Sequence, residues 1–393
     1  MQDPIDAFRG LLLSDARLQR ALGEIDSPES FVAEACAAAR ASGLVLDAEE
    51  LMSALRPDPL GLVTPPGGAV EGGWPPPGWR PIAIAPSPDG RIEVDWSYFG
   101  AGRLEDPFFE SSARRARARP INRLCRRRMG LDQFVAQAPA VAPPRGLVLH
   151  MSRCGSTLVA QMLAAARRHI VLSEAPPIDQ ALRLRELRPQ ATDDERRRLL
   201  VAMVAALSRG AAGEDHECFV KLDSWHTLAL PLLRAAFPST PWVYLYRDPV
   251  EVLVSQMRAR GVQTVPGLLP AELQGLVDGE TLGAEDVCAQ ALARGCEAAI
   301  AHFGLGGGLL VSYDELPDAV FTRILPHFGV SPDAADQDAM RAAALRDAKA
   351  PHSAFSPDRE DKRRAATARI HDAAARRLAS VHARLEALRA PAR

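Results

Sequence analysis

The sequence predicts an α/β protein, in which a three-layer α/β/α domain with a parallel sheet is preceded by a small all-α domain. Three observations predict this architecture. From residue 146 onward, short apolar runs alternate with runs of helical spacing, which is typical of a parallel sheet covered by helices. The first 55 residues carry helical periodicity alone, and a proline- and glycine-rich stretch follows them.

Composition limits the class of protein. The chain has 393 residues, 47% of them hydrophobic, and its 47 Lys+Arg nearly balance 49 Asp+Glu. No global field therefore recruits nucleic acid or a membrane surface, and neither is an expected partner. The first residues lack a signal-peptide pattern, and no apolar run approaches the roughly 18 residues that span a bilayer, so we expect a cytoplasmic protein. Six cysteines without regular spacing predict free thiols and no metal site.

Residues 1–55 are predicted to form the small helical domain. Apolar residues recur at helical spacing in three groups, which indicates three short helices. Ser27 before Pro28 is a good N-cap with proline in the first turn, and Asp47 with Glu50 three residues later is typical of a capping box.

Residues 56–90 contain ten prolines and many glycines, a composition that excludes a helix or a central strand and predicts a domain linker. Residues 91–144 are predicted to connect the linker to the main domain. Within them RIEVDWSYFG alternates like a strand, and DPFFESSARRARARP begins a helix. Residues 114–128 include eight arginines and no acid. These arginines either form a solvated helix face near Asp and Glu residues from elsewhere in the chain, or they contact an anion.

Residues 145–393 are predicted to form the main domain. Its strand-like runs are GLVLHM, HIVL, CFVKLD, WVYLY and GLLVSY, each followed by a helical run. Ligands of such sheets bind at the carboxyl ends of the strands. Helical runs at 191–209 and 284–303 could form a lid or an outer layer. The Ala/Arg-rich end from about Asp358 indicates one long helix.

The stretch HMSRCGSTLV joins the first of these strands to its helix. A loop rich in glycine, serine and threonine points backbone N–H groups at one spot, and the helix N-terminus adds partial positive charge, so the loop favours an anion. Arg153 supplies a cation. No lysine precedes Ser156, which argues against a nucleoside triphosphatase or kinase loop.

A second arginine ends a later strand, in WVYLYRDPVEVLVS. Arg247 is followed eight residues later by Ser255, with Asp248 as a candidate N-cap and Pro249 in the first helical turn. Either motif alone has an ordinary structural explanation, since RDP often merely caps a helix. Two cation-plus-hydroxyl motifs in this order favour a ligand with two anionic ends.

Together the two motifs resemble those of sulfotransferases that use 3′-phosphoadenosine 5′-phosphosulfate (PAPS), over about residues 145–330. The resemblance implies a P-loop-type α/β/α fold with PAPS as co-substrate and no metal. It implies that Arg153, Cys154, Gly155, Ser156 and Thr157 bind the 5′-phosphosulfate. It also implies that Arg247 and Ser255 bind the 3′-phosphate.

Two further residues resemble the tyrosylprotein and bacterial branch of this family. Lys221, in FVKLDSW, matches a lysine that contacts the bridging oxygen of the phosphosulfate. Glu174, in HIVLSEAPP, matches the glutamate that serves as base. Arg153, Lys221 and Glu174 are therefore the candidate catalytic residues. His226 is a rival base, or else a helix-cap residue.

Two C-terminal stretches also have counterparts in related enzymes. GLLVSYDEL resembles a strand and turn after the cofactor core, and we expect a structural role for it. DAKAPHSAFSPDREDKR could close over the nucleotide, with Lys349 as the best candidate contact. The acceptor is expected to contact the variable segments 175–215 and 257–285.

The first 55 residues are similar to the Nif11-type domain of natural-product precursors, which suggests docking of a partner or guidance of a peptide acceptor; an inert appendage is the alternative. The expected function is sulfuryl transfer from PAPS to a hydroxyl or amine of a small molecule or peptide. A non-catalytic nucleotide-binding module that recruits a partner is the alternative. The sequence does not reveal the oligomeric state.

Overall fold

The structure is a computed structural model, and it describes residues 3–56, 67–69, 74–209, 216–276, 282–350, 353 and 358–390. The chain forms two compact units, Met1–Val141 with Ala175–Asp215, and Ala142–Glu174 with His216–Arg393. The helices are α1 (Pro4–Ser14), α2 (Ala16–Gly23), α3 (Pro28–Ala41), α4 (Ala48–Ala54), α5 (Phe109–Ala118), α6 (Pro120–Leu124), α7 (Leu131–Ala136), α8 (Ser156–Ala165), α9 (Pro176–Leu182), α10 (Asp193–Leu207), α11 (Leu230–Ala236), α12 (Pro249–Arg258), α13 (Ala271–Gln274), α14 (Ala284–Ala301), α15 (Leu325–His327), α16 (Ala334–Ala344), α17 (Arg359–Ala365), α18 (Ala368–Ala373) and α19 (Ala379–Arg389). The strands are β1 (Gly67–Ala69), β2 (Trp79–Pro86), β3 (Ile92–Tyr98), β4 (Arg126–Gly130), β5 (Gly146–His150), β6 (His169–Ser173), β7 (Glu217–Lys221), β8 (Trp242–Tyr246) and β9 (Gly308–Ser312).

The first unit begins with four helices where the sequence predicted three. Asp15 divides the first predicted helix, because its backbone is extended and its side chain accepts hydrogen bonds from the backbone N–H groups of Arg17 and Leu18, which caps α2. The other predicted caps are present. Ser27 accepts from the Ser30 N–H at the start of α3, and Asp47 accepts from the Glu50 N–H at the start of α4.

A four-stranded sheet in the order β1-β4-β3-β2 follows. The structure differs from the linker prediction at β2, which pairs with β3 in antiparallel fashion. Its prolines are compatible with a strand because β2 lies at the edge of the sheet, where a missing N–H costs no ladder bond, and the register shifts between Pro81 and Ala83. Residues 57–66 and 70–73 of the predicted linker lie outside the described residues.

The arginine-rich segment forms α5, α6 and β4, and its arginines pair with carboxylates of the same unit. Arg115 lies 2.5 Å from Asp106, and Arg126 lies 3.3 Å from Asp95. Arg119 likewise pairs with an aspartate that follows α2, at 3.3 Å. These pairs agree with the interpretation of a face neutralised by nearby acids.

Residues 175–215 cluster with the first unit, although the sequence placed them in the main domain. The reason is local packing, since α9 and α10 pack against each other and against β2. The side-chain oxygen of Gln180 also accepts a hydrogen bond of 2.7 Å from the Ile84 N–H. The helical run predicted as a lid or outer layer at 191–209 is therefore part of this unit.

The second unit contains the predicted parallel sheet, in the order β6-β7-β5-β8-β9. Every residue of β5, β6 and β8 is buried, as expected for strands covered on both faces. From β5 the chain turns towards β6 on one side, whereas from β8 it continues to β9 on the other. The loops after β5 and β8 therefore face the crevice in which ligands of such sheets bind.

The C-terminal segment is three helices with a π-helical turn at Ala374–Leu378, not one long helix. The break comes at Thr367, whose hydroxyl accepts from the Ile370 N–H and starts α18 anew. α17 packs against α12, and α19 packs against α14 and β9.

Two simpler expectations concern cysteines and membranes. All six cysteines are free thiols. Within the described part of the chain, no helix combines the length and the hydrophobicity needed to cross a membrane.

Candidate active site

The loop after β5 has an unusual backbone. Ser152 and Arg153 adopt left-handed φ angles of 76° and 52°, and Gly155 follows at 86°. A β-carbon at Gly155 would lie 2.7 Å from Leu316 Cδ1 and 2.9 Å from Tyr313 Cδ2, so only glycine fits. Alternation into left-handed backbone makes a concavity of N–H groups, and the N-terminus of α8 lies at the same point. The predicted loop therefore has the geometry of an anion site.

Two buried side chains hold Ser152 in place. The Ser152 N–H donates to His150 Nδ1 at 3.0 Å, and the Ser152 hydroxyl accepts from Gln256 Nε2 at 3.0 Å. Gln256 lies on α12 beside Ser255 and is fully buried. The loop after β5 and the helix after β8 are thus fixed to each other.

Cys154 points into the core. Its thiol is fully buried and donates to the Leu245 carbonyl at 3.1 Å. Burial raises the pKa of this thiol to about 12, so it is protonated at neutral pH. Cys154 can offer a ligand its backbone N–H, whereas its side chain fills space.

Two cations stand at the outer side of the loop. Arg153 is half-buried and donates to the Ala259 carbonyl at 2.5 Å. Desolvation, together with the positive charge of Arg153, lowers the pKa of Lys349 to about 8, although much of the Lys349 surface reaches solvent. An anion that binds beside such a lysine stabilises its protonated form.

Glu174 and Lys221 form an ion pair at the carboxyl ends of β6 and β7. The Lys221 side chain is fully buried, and that of Glu174 is 23% exposed. Glu174 has a left-handed φ of 50°, and its N–H donates to the Lys221 carbonyl at 2.8 Å. Burial opposes ionisation of Glu174, but the charge of Lys221 and a hydrogen bond from His150 hold its pKa well below the usual range. Glu174 is therefore a carboxylate.

His226, the rival base, is buried in a 3₁₀ turn at Ser224–Ala229. Its Nδ1 accepts a hydrogen bond of 3.2 Å from the Asp223 N–H, which caps the turn. The ring also contacts Trp225 edge-on. This is the geometry of the cap residue that the sequence offered as the alternative.

Arg247 lies almost completely buried at the end of β8. Its guanidinium lies 2.6 Å from Glu251 and 3.5 Å from Asp358, and it stacks over the Tyr313 ring at 3.8 Å. Asp248 caps α12 by accepting from the Glu251 N–H, as predicted. Ser255, two turns along α12, is half-buried.

Helix α17 contributes more charge beside Arg247. Glu251 is fully buried and pairs with Arg359 at 2.8 Å and Arg363 at 3.3 Å. Burial opposes its ionisation, yet hydrogen bonds from Arg359 and Arg247 lower the pKa of Glu251. Lys362 is also buried and pairs with Asp358 at 2.8 Å.

One cavity of about 230 Å³ joins the two motifs. It is lined by the loop residues Arg153, Cys154, Gly155, Ser156, Thr157 and Leu158, by Arg247 and Ser255, and by Tyr313, Arg346, Asp347, Ala348, Lys349, Asp358 and Lys362. The structure therefore brings together all the predicted nucleotide-binding residues. Glu174 and Lys221 are not in this lining; their ion pair lies close enough to influence the charge of Lys349.

Residues 147–334 match the sulfotransferase family. Solved structures similar to this chain include sulfotransferase STF9 from Mycobacterium avium, which is 15% identical over 53% of this chain and 69% of that chain, with a TM-score of 0.35. The sulfotransferase domain from the curacin biosynthetic pathway is 17% identical over 60% and 98%, with a TM-score of 0.37. That of the Synechococcus PCC 7002 olefin synthase is 17% identical over 65% and 99%, with a TM-score of 0.36. No curated protein matches significantly. The family match supports a sulfotransferase function.

Several residues that line this cavity were not predicted from the sequence. Tyr313 lies in the stretch that was expected to be structural, yet it lines the cavity and stacks on Arg247. The sequence assigns Asp358 and Lys362 to a long C-terminal helix and names neither as a contact. A signal for both was present, since they lie within the stretch expected to close over the nucleotide. Residues 351–352 and 354–357 of that stretch lie outside the described residues.

Proposed function

We propose that this protein transfers the sulfuryl group of PAPS to a hydroxyl or amine acceptor, on a peptide or another natural product, and releases adenosine 3′,5′-bisphosphate. One observation carries the proposal. Two cation-plus-hydroxyl motifs, centred on Arg153 and Arg247, line the same cavity. A cavity lined by two such motifs suits a ligand that carries two anionic groups.

The loop after β5 is the proposed site of the 5′-phosphosulfate. The N–H groups at the N-terminus of α8 and the hydroxyls of Ser156 and Thr157 would bind the phosphate, with Arg153 facing the sulfuryl group. Arg247 and Ser255 would bind the 3′-phosphate. Lys349, whose pKa is already lowered to about 8 by its surroundings, would regain full protonation when an anion arrives.

Lys221 is the proposed stabiliser of the leaving phosphate. Charge builds on that phosphate as the sulfuryl group departs, and a fixed cation in a buried site stabilises it strongly. Lys221 has no solvent-exposed side-chain surface. In the proposed reaction its ammonium would turn from Glu174 to the leaving phosphate.

This exchange also explains how Glu174 could act as the base. A carboxylate paired with Lys221 has too low a pKa to take a proton efficiently. If the phosphosulfate draws the Lys221 ammonium away, Glu174 loses the charge that lowers its pKa and becomes a stronger base. The proton of the acceptor hydroxyl or amine would then go to Glu174. His226 is engaged in capping a turn, which favours Glu174 for this role.

The nucleotide preference tests the proposal first. Adenosine 3′,5′-bisphosphate at about 100 times its dissociation constant should add about 2.7 kcal/mol to the free energy of unfolding and raise the melting temperature accordingly. Adenosine 5′-monophosphate, which lacks the 3′-phosphate, is the matched control and should bind more weakly. Equal stabilisation by adenosine 3′,5′-bisphosphate and ATP would refute the proposal.

A second experiment separates catalysis from mere binding. Glu174→Gln should abolish transfer of labelled sulfuryl from PAPS into cell extract or candidate peptides, while nucleotide binding remains. Glu297→Gln, on the exposed face of α14, is the control and should leave transfer unchanged. Full transfer by Glu174→Gln would exclude this residue as the base.

A further inference from the structure

His150 is the last residue of β5 and the first of the stretch HMSRCGSTLV, but no role was predicted for it from the sequence. It is 4% exposed and does not line the cavity. Three groups surround its ring, and they come from three different segments of the second unit: the loop after β5, the end of β6 and the end of β7. A buried imidazole that joins these segments can set their geometry.

The hydrogen bonds of His150 define its protonation. The Ser152 N–H donates to Nδ1 at 3.0 Å, so Nδ1 carries no proton. Nε2 lies 2.9 Å from the Leu222 carbonyl and 3.3 Å from Glu174 Oε1, and both of these are acceptors. The proton therefore resides on Nε2. Burial lowers the pKa of His150, which agrees with a neutral ring.

We infer that His150, as a neutral Nε2–H imidazole, is a positioning residue that sets the anion-binding loop with one ring nitrogen and orients Glu174 with the other. The inference rests on the proposed function, in which the loop binds the 5′-phosphosulfate and Glu174 accepts the proton. It adds a link between the two steps. The left-handed turn at Ser152 and the carboxylate of Glu174 are held by the same ring.

The effect of His150 on the anion-binding loop acts through Ser152. Its φ of 76° is costly for a residue other than glycine and persists only where neighbouring groups hold it. The acceptor at Nδ1 satisfies the Ser152 N–H in that conformation. Removing the acceptor leaves a partly buried N–H unpaired and favours ordinary backbone angles, which would disperse the N–H groups of the loop.

The orientation of Glu174 by His150 depends on the fixed position of Nε2–H. The strong bond to the Leu222 carbonyl ties the ring to the residue after Lys221. Nε2–H then lies 3.3 Å from Glu174 Oε1, the same oxygen that pairs with the Lys221 ammonium. When Lys221 turns to the phosphate, the imidazole remains in contact with the Glu174 carboxylate and keeps its orientation.

Two substitutions separate the effect on the loop from the effect on Glu174, because amide side chains can reproduce one ring nitrogen at a time. In His150→Asn the amide oxygen can stand at the Nδ1 position and accept from Ser152, but nothing reaches Glu174. In His150→Gln the amide nitrogen can stand at the Nε2 position and donate to Leu222, but the Ser152 N–H loses its acceptor.

The readouts are the dissociation constant of adenosine 3′,5′-bisphosphate by calorimetry, and sulfate release from labelled PAPS at saturation, in which water replaces the acceptor. We expect His150→Asn to bind within about threefold of wild type and to release sulfate at least about tenfold more slowly. We expect His150→Gln to bind at least about tenfold more weakly, the scale of one unpaired N–H, with release at saturation largely kept.

Two results overturn the inference: the same pattern in both variants, or no change in either. A wild type that binds no adenosine 3′,5′-bisphosphate instead refutes the proposed function, so the two failures are distinguishable. Should a variant fail to fold, ¹⁵N-histidine NMR of the wild type decides. The His150 resonance, assigned through its hydrogen bond with the Ser152 N–H, must show an unprotonated Nδ1 and a protonated Nε2, and a proton on Nδ1 would contradict the role.

Discussion

Replacing Lys221 by methionine tests the central ion pair without any need for an acceptor. Methionine keeps much of the length and packing of the lysine stem and removes the ammonium. Within the described residues, Glu174 is then left with its His150 contact, in a site where its side chain is 23% exposed. The variant therefore isolates the charge of Lys221.

The loss of folding free energy in Lys221→Met depends on whether Glu174 stays charged or takes up a proton. Keeping an unpaired buried charge costs about 3 to 5 kcal/mol. Taking up a proton is the alternative, and from an ordinary pKa of 4.5 this costs about 3.4 kcal/mol at pH 7 and about 0.7 kcal/mol at pH 5, at about 1.4 kcal/mol per pH unit. We expect a loss of about 3 kcal/mol at pH 7 that shrinks below about 1.5 kcal/mol at pH 5.

The sign of the pH dependence comes from the pKa directions. In the wild type the folded-state pKa of Glu174 lies below its unfolded value, so the pair contributes fully above about pH 5 and is lost as the pH falls through the folded pKa. In Lys221→Met, burial without the cation raises that pKa. The variant then binds the extra proton in the folded state, and its stability falls as the pH rises from 5 to 7.

Urea unfolding at pH 5 and pH 7, read by pulsed hydrogen exchange of peptides that span β5 and β7, measures the opening of this sheet separately from the first unit. The control is Lys221→Met combined with Glu174→Gln, which leaves a neutral pair and should show little dependence on pH. A loss under about 1 kcal/mol, or an equal loss at both pH values, would show that the pair carries no such charge coupling.

Three further predictions concern the cavity. Asp358→Asn should tighten adenosine 3′,5′-bisphosphate binding by about two- to fivefold in calorimetry, because it removes a half-exposed carboxylate 3.5 Å from Arg247; unchanged or weaker binding would contradict this. Gly155→Ala should lower the free energy of unfolding by about 2 to 4 kcal/mol in urea titrations, since the added carbon meets Leu316 at a left-handed φ. Cys154 should react with iodoacetamide at pH 8 at least about tenfold more slowly than half-buried Cys218 by mass spectrometry; equal rates would contradict its burial.

The parallel sheet could be predicted because its signals are local. Buried strands such as β5 and β8 read as continuous apolar runs, and the helices after them carry caps and helical periodicity. The loop at Arg153–Thr157 and the motif at Arg247 were visible for the same reason, since each lies at one strand-to-helix junction. They meet at one cavity because β5 and β8 are adjacent parallel strands.

Other parts of the fold depend on distant partners that composition does not reveal. β2 reads as a linker because of its prolines, and only pairing with β3 makes it an edge strand. Residues 175–215 follow β6 in the chain, yet α9 and α10 pack on β2. The predicted boundaries at 55, 90 and 144, and the Nif11-type resemblance of the first helices, stay predictions.

In the candidate site, too, single residues could be predicted from local motifs, whereas contacts between distant residues could not. The residue types of Glu174 and Lys221 were proposed from motifs, but their ion pair joins positions 47 residues apart and cannot be read from either motif. His150 left no signal, because a histidine at the end of an apolar run fits an ordinary core position. The role inferred for it depends on contacts with Ser152, Leu222 and Glu174, and these exist only once the strands are placed.

The charges around Arg247 explain how an anion site can exist before its ligand arrives. A guanidinium that is 4% exposed needs a counter-charge to stay buried, and Glu251 and Asp358 supply it. Glu251 has no exposed side-chain surface and also pairs with Arg359 and Arg363, so it is fixed in place. Asp358 is 45% exposed and can turn to solvent. A 3′-phosphate that enters the cavity would therefore replace Asp358 rather than Glu251, and the affinity of the site is set by the difference between those two anions.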